Sequence, residues 1–91
     1  MFKPVVVKQI AQILFKGGVF EGEIANGMRY GLGIVIFDNG SCYFGQWKDD
    51  LPEGEGMYLF PVGYLLRGTF RAGVISGNGI VTTPVRVIHV V

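Results

Sequence analysis

Residues 43–56 read Tyr43-Phe44-Gly45-Gln46-Trp47-Lys48-Asp49-Asp50-Leu51-Pro52-Glu53-Gly54-Glu55-Gly56, and the chain repeats the pattern on either side. Twenty-three residues earlier stands Phe20-Glu21-Gly22-Glu23-Ile24, followed by Gly31 and Gly33; 23 residues later stands Leu66-Arg67-Gly68-Thr69-Phe70, followed by Gly77 and Gly79. Gly40 and Gly63 keep the same interval, and running the register backwards puts Gly17 on the Gly40 column and Ile13 on the Ile36 column. Glycine and large apolar columns held in phase at a fixed period are the mark of a repeat architecture, in which each copy is one supersecondary unit. The register divides the chain into a partial copy at residues 10–19, full copies at 20–42 and 43–65, a final copy at 66–83, and a β-favouring C-terminal strand at 85–91.

Within one copy the unit is a β-hairpin. Gly33-Ile34-Val35-Ile36-Phe37 is rich in β-branched and aromatic residues, and Cys42-Tyr43-Phe44-Gly45-Gln46-Trp47 returns. Between them, Asn39-Gly40 carries the signal of a two-residue type I′ turn. That loop predicts Ile36 opposite Tyr43 and Ile34 opposite Gly45. A glycine flanked on its own face by Tyr43 and Trp47 leaves a gap in which a neighbouring ring can lie. Gly27, Gly31 and Gly33 fall where the chain turns into the next hairpin, and positive φ is their expected use. Residues 4–16 admit two readings. Val5-Val6-Val7 and the repeat phase favour a strand, whereas Pro4 near the start and Gly17-Gly18 at the end fit a short helix.

Composition narrows the function. The 91 residues allow one small domain; 49% are hydrophobic and 16% charged, and the mean hydropathy is +0.42, which excludes intrinsic disorder and puts apolar side chains on the surface. The net charge is +1, and all seven acids fall between residues 21 and 55, so there is no dense basic face for nucleic acid. A single cysteine, Cys42, forms no internal disulfide and fits a reducing, cytoplasmic compartment. No apolar run approaches the roughly 20 residues of a membrane span, and Met1 to Gly18 lacks the features of a secretory signal.

The residues that carry chemistry elsewhere form no constellation here. His89 sits in a valine-rich segment away from any nucleophile or carboxylate, and Cys42 lies beside Tyr43 in a predicted strand without a base. Asp49, Asp50, Glu53 and Glu55 cluster in one loop but lack the alternating ligands and glycine of a calcium loop, so a solvated acidic loop is expected and no metal. Gly31-x-Gly33 is not followed by the third glycine of a dinucleotide fingerprint, so no phosphate-bearing cofactor is expected. The expectation is a non-enzymatic chain with no cofactor.

The segments Phe20-Glu-Gly-Glu-Ile24, Tyr43-Phe-Gly-Gln-Trp47 and Leu66-Arg-Gly-Thr-Phe70, each with its following glycine pair, resemble MORN repeats. The resemblance covers about residues 10 to 83 and rests on both the period and the glycine and aromatic columns. It implies an all-β fold: an elongated, single-layer antiparallel meander of repeated hairpins. It also implies a scaffold or adaptor in a larger assembly, often cytoskeletal, ciliary or cortical, whose groove holds another protein segment; peripheral membrane or phosphoinositide attachment is the alternative.

Strand alternation under the Asn39-Gly40 register sorts the side chains onto two faces. The expected partner-binding groove comprises Phe20, Gly22, Ile24, Tyr43, Gly45, Trp47, Leu66, Gly68 and Phe70, with Ile34, Ile36, Met57, Leu59 and Ile80 on the same side. The expected second apolar face carries Val35, Phe37, Phe44, Tyr58, Phe60 and Leu65, and a single-layer sheet has no second layer to cover it. The expected partners are therefore proteins of a larger assembly or further copies of the chain.

Overall fold

The computed structural model describes residues 9–84. Seven strands, β1 (Gln9–Phe15), β2 (Gly18–Ala25), β3 (Met28–Phe37), β4 (Cys42–Lys48), β5 (Leu51–Leu59), β6 (Leu65–Arg71) and β7 (Val74–Thr82), form one antiparallel sheet whose strand order is the chain order. There is no helix among the described residues, and the fold is the single-layer hairpin meander implied by the repeat. Strand β1 decides for strand over residues 9–15; Pro4 to Lys8, and the expected strand at 85–91 with His89, lie outside the described residues.

Two kinds of turn alternate. Asn26-Gly27, Asp49-Asp50 and Ala72-Gly73 close two-residue connections with positive φ at both positions (52° and 75°, 50° and 70°, 49° and 86°), which is the type I′ geometry that matches the twist of the flanking strands. At the opposite end, the β3–β4 connection is longer. Phe37 N donates to Ser41 O at 2.8 Å and Gly40 N to Phe37 O at 3.0 Å, and only Gly40, at φ 88°, is left-handed. The Asn39 carboxamide oxygen accepts from Ser41 N at 2.9 Å and Ser41 Oγ at 2.6 Å, satisfying the loop from within.

That loop changes the register. Ile36 pairs with Cys42, Val35 with Tyr43 and Gly33 with Gly45, one residue out from the pairing that a two-residue Asn39-Gly40 turn gives. A one-residue slip moves alternate side chains to the other face. Val35, Phe37 and Tyr58, expected on the second face, therefore share the face of Phe20 and Tyr43, and the Phe60 ring lies 4.8 Å from that of Tyr58. Ile34, Ile36, Met57, Leu59 and Ile80 move to the second face instead, where Phe44 and Leu65 remain.

The strand glycines align across the sheet. Gly22 pairs with Gly33, Gly33 with Gly45, Gly45 with Gly56 and Gly56 with Gly68, giving a bare row through five strands. Aromatic rings lie on it: a Cβ on Gly33 would stand 2.5 Å from the Phe20 ring, and one on Gly56 2.6 Å from the Tyr43 ring. In the last copy, where Leu66 replaces the aromatic, the Ile75 side chain fills the same space against Gly68 and Gly79. Gly33, expected to turn the chain, serves instead as such a ring seat, whereas Gly31 and Gly54 have φ 85° and 96° beside the register shifts of the β2–β3 and β4–β5 pairs. A side chain clamps each of these irregularities: Leu32 N donates to Glu23 Oε2 at 2.5 Å and Glu55 N to Gln46 Oε1 at 2.9 Å. Thr69 holds the matching place in the last copy, and its hydroxyl turns to Glu55 Oε1 at 2.7 Å.

Candidate functional site: an aromatic groove

Phe20, Trp47, Tyr43 and Phe70 stack edge to face across the sheet. Successive ring centroids are 5.4, 5.2 and 5.1 Å apart at interplanar angles of 80°, 89° and 82°. This arrangement sets the positive edge of one ring against the negative face of the next. With Val35 these rings form the core of a sheet that has only one layer; Phe20 is fully buried and Trp47 is 6% exposed. Their polar atoms are satisfied as well, Trp47 Nε1 donating to Gly33 O at 3.1 Å and Tyr43 Oη to Gln46 O at 2.9 Å. Burial pushes the Tyr43 phenol up to about 12.

A second rank of rings runs beside the first on the same face. Phe15 meets Phe37 at 6.5 Å, Phe37 meets Tyr58 at 6.3 Å, and Tyr58 meets Phe60. Phe37 and Tyr58 pack against the core yet stay half-exposed. Tyr58 Oη donates to Ser41 Oγ at 3.2 Å, anchoring the rank to the buried Ser41 of the long loop. Between the ranks lies a cavity of about 290 Å³, bordered by Phe37, Tyr43, Trp47, Tyr58 and Phe70.

Its polar end is built by Arg29 and Asp50. The Arg29 guanidinium carbon stands 4.7 Å from the Trp47 ring centroid and 5.7 Å from that of Phe20, within cation–π range. Asp50, in the type I′ turn of the next copy, fixes it there. Arg29 N and Nε donate to Asp50 Oδ1 at 2.8 and 3.2 Å, and Nη2 donates to Asp50 O at 2.9 Å. The Arg29 backbone N–H, helped by the guanidinium, holds the Asp50 carboxyl below its ordinary range.

The structure brings Phe20, Tyr43, Trp47 and Phe70 together on the face of Gly22, Gly45 and Gly68, with Ile24 packed against them and Leu66 on the same face beside Tyr58; the rings rest on Gly33 and Gly56, and Ile75 rather than a ring covers Gly68. Sequence reasoning missed Arg29, which is one of only two cations in the acidic stretch from 21 to 55 and follows a tight turn. The acidic cluster does not act as a unit. Asp50 binds Arg29, Glu53 Oε2 accepts from Ala72 N at 2.8 Å, and Glu55 accepts from Thr69. No group of three metal-ligating side chains forms among the described residues. Cys42 is half-buried on the opposite face.

Comparison with known proteins agrees with this architecture. The chain is 29% identical over 69 residues to Alsin of Rattus norvegicus, a match that covers 70% of this chain and 4% of that protein's length. A family model described as MORN repeat matches residues 20–42, 43–63 and 67–84, and these segments carry the ring and glycine columns that build the groove. The chain belongs to the MORN repeat family.

Proposed function

We propose that the chain is a non-enzymatic protein-binding module, a scaffold or adaptor that works in the cytoplasm within a larger assembly of the cytoskeletal or ciliary kind. In this reading the aromatic groove receives an extended segment of a partner protein. The observation that carries it is the division of the groove into a rigid floor and accessible walls. Phe20, Tyr43, Trp47 and Phe70 are locked by stacking and hydrogen bonds, while Phe37 and Tyr58 offer half-exposed ring faces over the 290 Å³ cavity. A preformed apolar slot with a few fixed polar groups is what concentrates binding energy in aromatic anchors. The Arg29–Asp50 pair gives that slot a polar end.

Attachment to anionic lipid is the weaker reading, because it calls for clustered Lys and Arg, and the cation in the groove is held by Asp50. The test is affinity capture from native source with the wild-type chain and with Phe37→Ala and Tyr58→Ala variants, partners being identified by mass. Truncating a wall ring should weaken capture of a specific protein by ~2 kcal/mol, roughly 30-fold, with an unchanged far-ultraviolet spectrum. Equal capture by folded variants, or sedimentation with anionic vesicles that survives both substitutions, would overturn the groove as the binding site.

A further inference from the structure

The outer face, opposite the groove, carries a polar cross-strand row through Gln46, Glu55 and Thr69 beside Leu32, and two further rows that are mainly apolar. The first runs through Leu14, Val19, Ile36, Cys42, Leu59 and Leu65, one from each of the strands β1 to β6. The second centres on Phe44 of β4, with Glu21 and Ile34 on one side and Met57 and Arg67 on the other. Leu14 is 81% exposed, Ile36 48%, Phe44 45% and Ile80 62%. Contiguous apolar area beyond a few hundred Å² is rare on lone proteins, and a standard interface buries ~800 Å² per partner. Leu14, Ile36, Phe44 and Ile80 expose large apolar side chains together on this face.

We infer that the outer face packs against a second copy of the chain, about a two-fold axis parallel to β4 and lying over it, so that two single-layer sheets close into a sandwich. The order of residues in the second row selects this occupant and this axis. Such an axis places β2 of one copy over β6 of the other and β3 over β5, because β4 is the middle of the seven described strands. Glu21 then faces Arg67 of the second copy, twice in the dimer, Ile34 faces Met57, and Phe44 meets its own counterpart at the centre. In the first row Val19 faces Leu65 and Ile36 faces Leu59, apolar against apolar, while Leu14 at the edge faces Thr82. An axis running across the strands instead would set Glu21 over Glu21 and Arg67 over Arg67, and such like-charge contacts oppose association; the axis along β4 leaves one like pair, Lys48 with its counterpart, at the exposed end of the strand where both side chains turn to water. Aligned sheets pack about 10 Å apart with their strands within roughly 30° of parallel, a separation that these side chains span. The groove stays open on both outer surfaces of the sandwich, so the inference is independent of what the groove binds.

Cys42, the only cysteine, lies on β4 and therefore on the axis. Across sheets ~10 Å apart the two Cα atoms are too distant for a disulfide but within reach of a short bismaleimide. Three measurements on the 91-residue chain test the dimer. Sedimentation equilibrium at micromolar concentration should give a dimer, and a short bismaleimide should give a covalent dimer that Cys42→Ser abolishes. Glu21→Arg or Arg67→Glu alone should raise the dimer dissociation constant by about tenfold or more, and the two together should restore it. A monomer at these concentrations overturns the inference. So does a dimer that neither cross-links through Cys42 nor responds to charge reversal, or association only with vesicles or with a different protein. Should a charge variant fail to fold, the cross-link on the wild-type chain decides alone.

Discussion

Replacing Gly45 by alanine tests why the repeat keeps a glycine in mid-strand. A Cβ at this position would stand 2.5 Å from Gly56 Cα, 2.6 Å from Glu55 O and 2.7 Å from Tyr43 Oη, all well inside the ~3.5–4.0 Å of a comfortable contact. Two of these three atoms belong to the backbone of β5. Relief therefore means prying β4 from β5, or pushing the Tyr43 ring off its hydrogen bond to Gln46 O. Overpacking of this kind costs ~1–3 kcal/mol, and losing the hydrogen bond adds ~1 kcal/mol. The lower entropy of an unfolded chain that carries alanine opposes this by only ~0.4–1 kcal/mol. The net loss is about 2 kcal/mol, enough to lower the melting temperature of a chain this size by roughly 10 °C. Gly27 is the control. Its φ is 75° and a Cβ there meets nothing within 4 Å, so its constraint is conformational. Asparagine tolerates left-handed backbone, so Gly27→Asn should be nearly neutral, while Gly45→Asn should be at least as damaging as alanine. Thermal and urea unfolding followed by Trp47 fluorescence and circular dichroism measures all three. A Gly45→Ala melting point within measurement error of wild type, or rescue of position 45 by asparagine, would refute the space-filling account.

Thr69→Gln should extend to the last copy the clamp that Glu23 and Gln46 provide in the others, raising unfolding free energy by ~1 kcal/mol; an unchanged urea midpoint would show that the clamp adds nothing. Trp47→Ala removes the ring between Phe20 and Tyr43 and should destabilise by ~3–5 kcal/mol, far more than Tyr58→Ala, so equal losses in urea unfolding would contradict the floor-and-wall division. Because the folded Asp50 carboxyl lies below its ordinary value, its pairing with Arg29 contributes stability above ~pH 4, and that contribution is lost as pH falls through the folded value. Asp50→Asn should therefore flatten the acid limb of the stability–pH curve; an unaltered limb assigns it to other carboxyls.

The period, the glycine columns and the common face of Phe20, Tyr43, Trp47 and Phe70 were legible in the sequence, because residues 23 apart on equivalent strands share a face whatever the register between strands. The register itself was not legible. Asn39-Gly40 carries the same Asn-Gly turn signal as Asn26-Gly27, yet the Asn39 side chain turns inward to Ser41 and the loop takes an extra residue. The true type I′ turns lie at Asn26-Gly27, Asp49-Asp50 and Ala72-Gly73, and only the first is written in the residues that favour it. Asp50 accepts a φ of 70° in a place where the other copies have glycine, and its carboxylate gains Arg29 there. That contact lies 21 residues apart in sequence and is visible only once the strands are laid side by side. From the slipped register followed the exchange of Val35, Phe37 and Tyr58 for Ile34, Ile36 and Met57, and with it the composition of both surfaces.

The match between strand order and chain order also governs how the module responds to force. With β1 and β7 the outermost strands among the described residues, tension on the two ends of this sheet pulls across the strands rather than along them. Each ladder is then loaded at one end and its hydrogen bonds open in succession, so the sheet peels strand by strand at low force instead of shearing at once. Nearest-neighbour cohesion of this kind makes every hairpin a separate extensible step. The join between β6 and β7, where Thr69 stands in the clamp position, should yield first in a force ramp. A module pulled this way inside an assembly lengthens in increments of one hairpin and rewinds from the strands still paired.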